Sequence, residues 1–62
     1  MKVEMIDGQV IENVRIKKAP TSVQRIYGYT TMAHWIDGNT KMAYSVPVER
    51  IGRGRYRERW LI

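Results

Sequence analysis

The chain has no cysteine, no phenylalanine, one histidine and two prolines. Each shortage removes a class of protein. Without thiols, neither a disulfide nor a thiolate zinc site can form. A single histidine, His34, cannot anchor a histidine-rich metal site, so no cofactor or metal is expected. No apolar run approaches the roughly 20 residues of a helical membrane span. The opening stretch "MKVEMIDGQV" lacks the apolar block of a secretory signal. A soluble, cytoplasmic protein with no membrane partner is the expectation.

Catalytic groups are scarce as well. Glu4, Asp7, Glu12, Asp37, Glu49 and Glu58 are dispersed, and no pair has a catalytic or metal spacing. General-base work by His34 would need a nucleophile and an orienting acid, and no serine sits in a recognisable elbow. "GRGRYRE" follows a turn and opens no expected helix, so it is not a phosphate-binding glycine loop. No enzymatic activity is expected.

What remains is small and basic. Sixty-two residues make a single domain, 1–62. A domain this size buries only about 60% of its unfolded surface, and small folds lean on disulfides, metals or a partner subunit. With the first two closed, a locally consistent fold or a homo-oligomer is the way out. The net charge is +5 and uneven. Residues 49–62 hold five arginines against Glu49 and Glu58, so +3 of the excess lies in the last quarter. Such charge attracts nucleic acid, anionic membrane or an acidic protein.

The patterning is that of strands. Val3 and Met5 share one face of the first run. In residues 9–18, Val10, Val14 and Ile16 share a phase that only Glu12 interrupts. In residues 40–48, Met42, Tyr44, Val46 and Val48 alternate with more polar positions. Asp7-Gly8 and Asp37-Gly38 sit between such runs and predict tight hairpins with positive φ at the glycine. Residues 25–36 are apolar in both phases, which predicts a strand bent at Gly28 or covered by a second subunit. "KKAPTSVQ", residues 17–24, reads as a loop with Pro20, Thr21 and Ser22 as breakers. Pro47 predicts a break with a short 3₁₀ turn over Val48–Ile51, and the final strand is expected from Gly54 to Trp60.

This layout resembles the small β-barrels of the SH3-like and Sm-like families. "VEMIDGQVIENVRI" is similar to the opening hairpin of Sm-like proteins, and "RGRYRERWLI" to their closing Arg-Gly strand. Asn13 stands where that family prefers glycine, Gly52 replaces an aliphatic residue before Arg-Gly, and "KAPTSVQ" lacks the family's uracil-holding Asp and Asn. No Sm-type RNA-binding residue is therefore carried over. "AYSVPVERI" resembles the 3₁₀ corner of SH3-like barrels, including that of plasmid-borne dihydrofolate reductases. The active-site Val-Gln-Ile-Tyr segment of those enzymes is interrupted here by Arg25 in "SVQRIY". The resemblance implies an all-β, five-stranded SH3-like or Sm-like barrel and, as architecture alone, carries over no activity.

The candidate site is the ladder Arg53, Arg55, Arg57 and Arg59 in "GRGRYRERWL". Residues two apart lie roughly 6.6 Å apart on one strand face, so four arginines make a stripe about 20 Å long. A helix would step about 200° between them and scatter them. Arginine binds phosphate bidentately, which suits such a stripe to a nucleic-acid backbone. The plain alternative is a solvated edge whose charge deters aggregation. Lys17, Lys18 and Arg25 form a second basic patch, with Tyr27 and Tyr29 beside it as an exposed platform for bases. Trp35, Tyr44 and Trp60 are assigned to the core. The expected function is non-catalytic nucleic-acid binding. The alternative is a protein-interaction module (adaptor, inhibitor or assembly protein) that docks through strand 25–36, with an acidic protein as partner.

Overall fold

The computed structural model describes residues 1–61. Six strands and one short helix follow one another: β1 (Lys2–Glu4), β2 (Val10–Ile11), β3 (Arg15–Lys18), α1 (Thr21–Tyr27), β4 (Thr31–Ile36), β5 (Ala43–Gly52) and β6 (Arg55–Glu58). They form one mixed sheet in the order β2-β1-β6-β5-β4-β3. Neighbours are antiparallel except β1 and β6, which pair in parallel with Val3 beside Tyr56. The fold is mostly β, as expected. Among the described residues no ladder joins β2 to β3, so the sheet is not closed by hydrogen bonds into a barrel.

The two ends of the sheet are nonetheless contiguous in the chain. Residues 12–14 connect β2 to β3, and Asn13 adopts φ 58°, a left-handed conformation that asparagine tolerates. This one residue flips the side-chain alternation. In β2 the inward residue is Ile11, beside Val3, while Val10 is 51% exposed. In β3 the inward phase is Val14 and Ile16. The single phase expected across Val10, Val14 and Ile16 is therefore two phases, and Glu12 marks the break. It is also why six strands stand where five were expected.

The core is small. Val3, Val14, Ala33, Val46 and Val48 are buried together, with Met5, Ile11, Ile16, Trp35 and Tyr56 packed against them. Val3 and Ala33 are wholly enclosed. Trp35 stacks on Tyr44 with ring centroids 5.7 Å apart, as their places opposite each other on β4 and β5 require. The expected core roles of Trp60 and Tyr44 are corrected: they are 47% and 38% exposed.

Residues 17–24 are not a loop. Lys17 and Lys18 end β3, and α1 begins after Pro20. Proline's φ of −57° and missing N–H suit a helix start, and Gly28 at φ 79° caps the far end, with its N–H donating to the Gln24 carbonyl at 3.0 Å. The apolar run 25–36 is thus not one strand. Its first residues are the last turn of α1, and Gly28 ends a helix instead of bending a strand.

The turns follow their residues in part. At Asp7-Gly8 the Met5 N–H donates to the Gln9 carbonyl at 2.7 Å, and Gly8 takes φ 93°. At Asp37-Gly38 the loop is longer, closed by the Asp37 N–H donating to the Met42 carbonyl at 2.9 Å. The Asp37 carboxylate there accepts from the N–H groups of Asn39 and Thr40 at 2.7 and 3.2 Å. The left-handed residue is Lys41, at φ 62°, and not Gly38. That is the requirement of a four-residue loop, where a two-residue turn would have placed it on the glycine.

Pro47 does not break its strand. β5 pairs with β4 up to Pro47, opposite Met32, and with β6 from Val48 onward. The Pro47 carbonyl accepts from the Arg59 N–H at 3.0 Å, just past the end of β6. N and O of one strand residue point to the same side. The missing donor therefore falls where β6 has already stopped, and the expected 3₁₀ turn over Val48–Ile51 is unnecessary. The final strand is shorter than the expected Gly54–Trp60, because Arg53 and Gly54 (φ 67°) form the turn before it.

Candidate functional site

β6 alternates as its sequence does. Arg53, Arg55, Arg57 and Arg59 are all exposed, while Tyr56 and Glu58 between them are half-buried. Tyr56 packs on the core. Glu58 ties two loops to the strand: one oxygen accepts from the Ile6 N–H at 3.0 Å and the other from the Trp60 indole N–H at 2.6 Å. Arg55 and Arg57 lie on the strand proper, Arg53 in the turn before it and Arg59 one residue after it.

The register sets carboxylates among these cations. Arg57 has Glu4 of β1 on one side and Glu49 of β5 on the other. Arg55 donates to Glu4 Oε2 at 3.0 Å. Arg57 donates through Nε to Glu49 Oε1 at 2.9 Å, and again through Nη2. Arg59 donates through Nη1 to the other Glu49 oxygen. The Glu49 carboxyl is held below its ordinary range, first by the Arg57 hydrogen bonds and then by Arg59. Lys2, exposed and in register with Arg55, adds a fifth cation. Glu12 lines a hollow with Lys2, Arg53 and Arg55, so the face carries five cations and three carboxylates. Arg55, Arg57 and Arg59 keep 52%, 59% and 58% of their side-chain surface in water. Exposed ion pairs are worth about 0–1 kcal/mol each, so the guanidinium groups are oriented but not consumed.

The second basic patch does not assemble as expected. Lys17 and Lys18 are consecutive on β3, so their side chains leave on opposite faces. Arg25 is on the last turn of α1. All three are exposed. The tyrosines differ from each other: Tyr27 is 55% exposed, but Tyr29 is buried. Tyr29 is held between two rings, with Tyr27 stacked at 6.1 Å and Trp60 edge-on at 6.0 Å. Its hydroxyl accepts from the Leu61 N–H at 3.3 Å. The exposed platform is therefore Tyr27 with Trp60. A shallow apolar trough runs beneath it, lined by Val23 and Tyr27 of α1, Tyr29, Met32, Pro47 and Trp60.

Sequence reasoning passed over Lys2 and Arg15. Arg15 lies beside His34 on the outer face, and His34 Nδ1 is 2.7 Å from Ser45 Oγ. The spacing of Arg15 and Lys17, two apart in a strand, carried the signal. Among the described residues there is no cluster of three or more metal-ligating side chains and no helix long and apolar enough to cross a membrane. Compared with protein-family models, with curated proteins and with solved structures, the chain matches none.

Proposed function

We propose that the protein is a non-catalytic nucleic-acid-binding domain that engages phosphates through the arginine face of β6. The observation that carries this is the imbalance of the face: Lys2, Arg53, Arg55, Arg57 and Arg59 exposed against Glu4, Glu12 and Glu49. Deterring edge-to-edge pairing needs one or two charges, and β6 is not an edge strand. Such a surface binds backbone phosphate by releasing counterions and reads little sequence. The reading extends to the architecture. The contiguity of β2 and β3 through Asn13 supports a small SH3-like or Sm-like barrel whose wall continues through that bend.

The test is fluorescence anisotropy of a labelled random-sequence oligonucleotide at rising salt. Binding that weakens steeply with salt supports the proposal, and no binding at low salt removes it. A second reading, contact with a protein through residues 25–36, is favoured by Ile26 and Ile36, which are 71% and 69% exposed. That contact includes self-association, which sedimentation equilibrium measures directly. An apolar interface barely responds to salt, so the same salt series separates the two readings.

A further inference from the structure

The trough beside the arginine face has a definite chemical layout. Its floor is Met32 and Pro47, opposite each other on β4 and β5. The row continues on both sides into cations. Lys17 of β3 is in register with Met32, and Arg59 hands its N–H to the Pro47 carbonyl. An apolar floor thus lies between two cations, across a width of about three strand spacings, or roughly 14 Å. On this floor stands the ring cluster Tyr27–Tyr29–Trp60. Tyr29 is the buried keystone, while Tyr27 and Trp60 are about half exposed, at 55% and 47%. The rings are fixed before any ligand arrives: Trp60 by Glu58, and Tyr29 by Leu61 and its two neighbours.

Flat apolar rings flanked by cations are complementary to a ligand that alternates flat apolar groups with anions. We infer that the trough is a base-stacking subsite for single-stranded nucleic acid, in which unpaired bases lie on Tyr27 and Trp60 while the backbone reaches Arg59 and Lys17. This inference rests on the nucleic-acid reading of the arginine face, and it specifies the strandedness. A duplex keeps its bases stacked on each other and offers the rings nothing, whereas a single strand presents free base faces. Arg59 belongs to both surfaces, so a strand held in the trough continues onto the arginine face. Rings already held in place also lose little conformational freedom on binding.

Titration of the full chain with a short oligothymidylate, and separately with a duplex of the same length, tests this. Trp35→Phe leaves Trp60 as the only tryptophan, because the chain has two. Quenching of its fluorescence by the single strand, but not by the duplex, is the expected result. Tyr27→Leu should weaken single-strand binding about 5- to 100-fold, while Tyr27→Phe retains it and duplex binding is unchanged by either. The Leu and Phe variants keep apolar bulk on α1, and their circular dichroism should match the parent. Equal affinity for both forms, with no quenching and no effect of Tyr27→Leu, overturns the stacking subsite and leaves the phosphate face standing. Failure of both forms to bind at low salt overturns the two together. Polyglutamate that displaces the oligothymidylate at equal charge concentration also overturns it, because the surface then reads charge without bases.

Discussion

Arg57 stands directly opposite Glu49 across the β5–β6 ladder and grips one of its carboxylate oxygens, with Nε 2.9 Å away. Arg59 takes the other oxygen. One glutamate thus sets the direction of two guanidinium groups, and Glu4 does the same for Arg55. A phosphate approaching this face meets donors already spread along the strand, and it competes with carboxylates that water also reaches. The carboxylates lower the net charge, but they spare the ligand the cost of ordering three long side chains.

Changing Arg55 and Arg57 together to Gln should weaken binding to all sequences alike. The log–log salt slope for single strands should flatten by about 1.4, as two phosphate contacts at roughly 0.7 each are lost. Chemical denaturation should show only a small loss, since both broken ion pairs are exposed.

The lowered titration of Glu49 makes a pH prediction. Its folded value lies below its ordinary 4.5, so its contribution to stability is full above that value and is lost as the pH falls through the folded one. Urea midpoints measured from neutral to acid pH should fall less steeply for Glu49→Gln than for the parent. Below the folded value the two should converge in slope.

Positive φ gives a pair of opposed glycine results. Gly28→Ala, at φ 79°, should cost about 1 kcal/mol. Gly38→Ala should be neutral or mildly stabilising, because Gly38 has no positive φ and nothing lies within 4 Å of where a Cβ would stand. In the same loop Lys41→Gly, at φ 62°, should raise stability by about 0.5–1 kcal/mol. Thermal unfolding of the three variants checks all of these.

Burial sets a last contrast. Val3→Ala removes methyl groups from a wholly enclosed site and should cost about 2 kcal/mol, a large share of the stability of so small a domain. Trp60→Leu, at a half-exposed site, should cost less while abolishing the fluorescence change on binding. Denaturation midpoints of the two variants measure the difference.

Much of the sheet was legible in the sequence, because alternation is a local property. The β6 stripe, the Asp7-Gly8 hairpin and the inward phase of Val46 and Val48 all follow from period two. The helix was not legible. Thr21, Val23, Ile26 and Tyr27 have middling helix propensity, and only Pro20 and Gly28 announced its ends. The phase flip was hidden because it depends on one backbone angle, at Asn13. The carboxylates of the site were hidden by distance along the chain: Glu4 and Arg55 are 51 residues apart and meet only because β1 and β6 pair. The trough required α1, so it could not be foreseen from a reading that lacked the helix.

The parallel pairing of β1 with β6 also governs the order of events during synthesis. Val3 cannot reach its place beside Tyr56 until β6 has left the ribosome, so the core waits for the far end of the chain. Contacts this non-local slow folding, and until then β1 and the β5 edge are open to other chains. Because β1 and β6 run parallel, with Lys2 beside Arg55, a linker from β6 to β1 must run back along the strand and takes about a dozen residues or more. A circular permutant opened in the loop between Asp37 and Met42 would make the β1–β6 pairing local, and it should fold faster than the parent while keeping the same sheet.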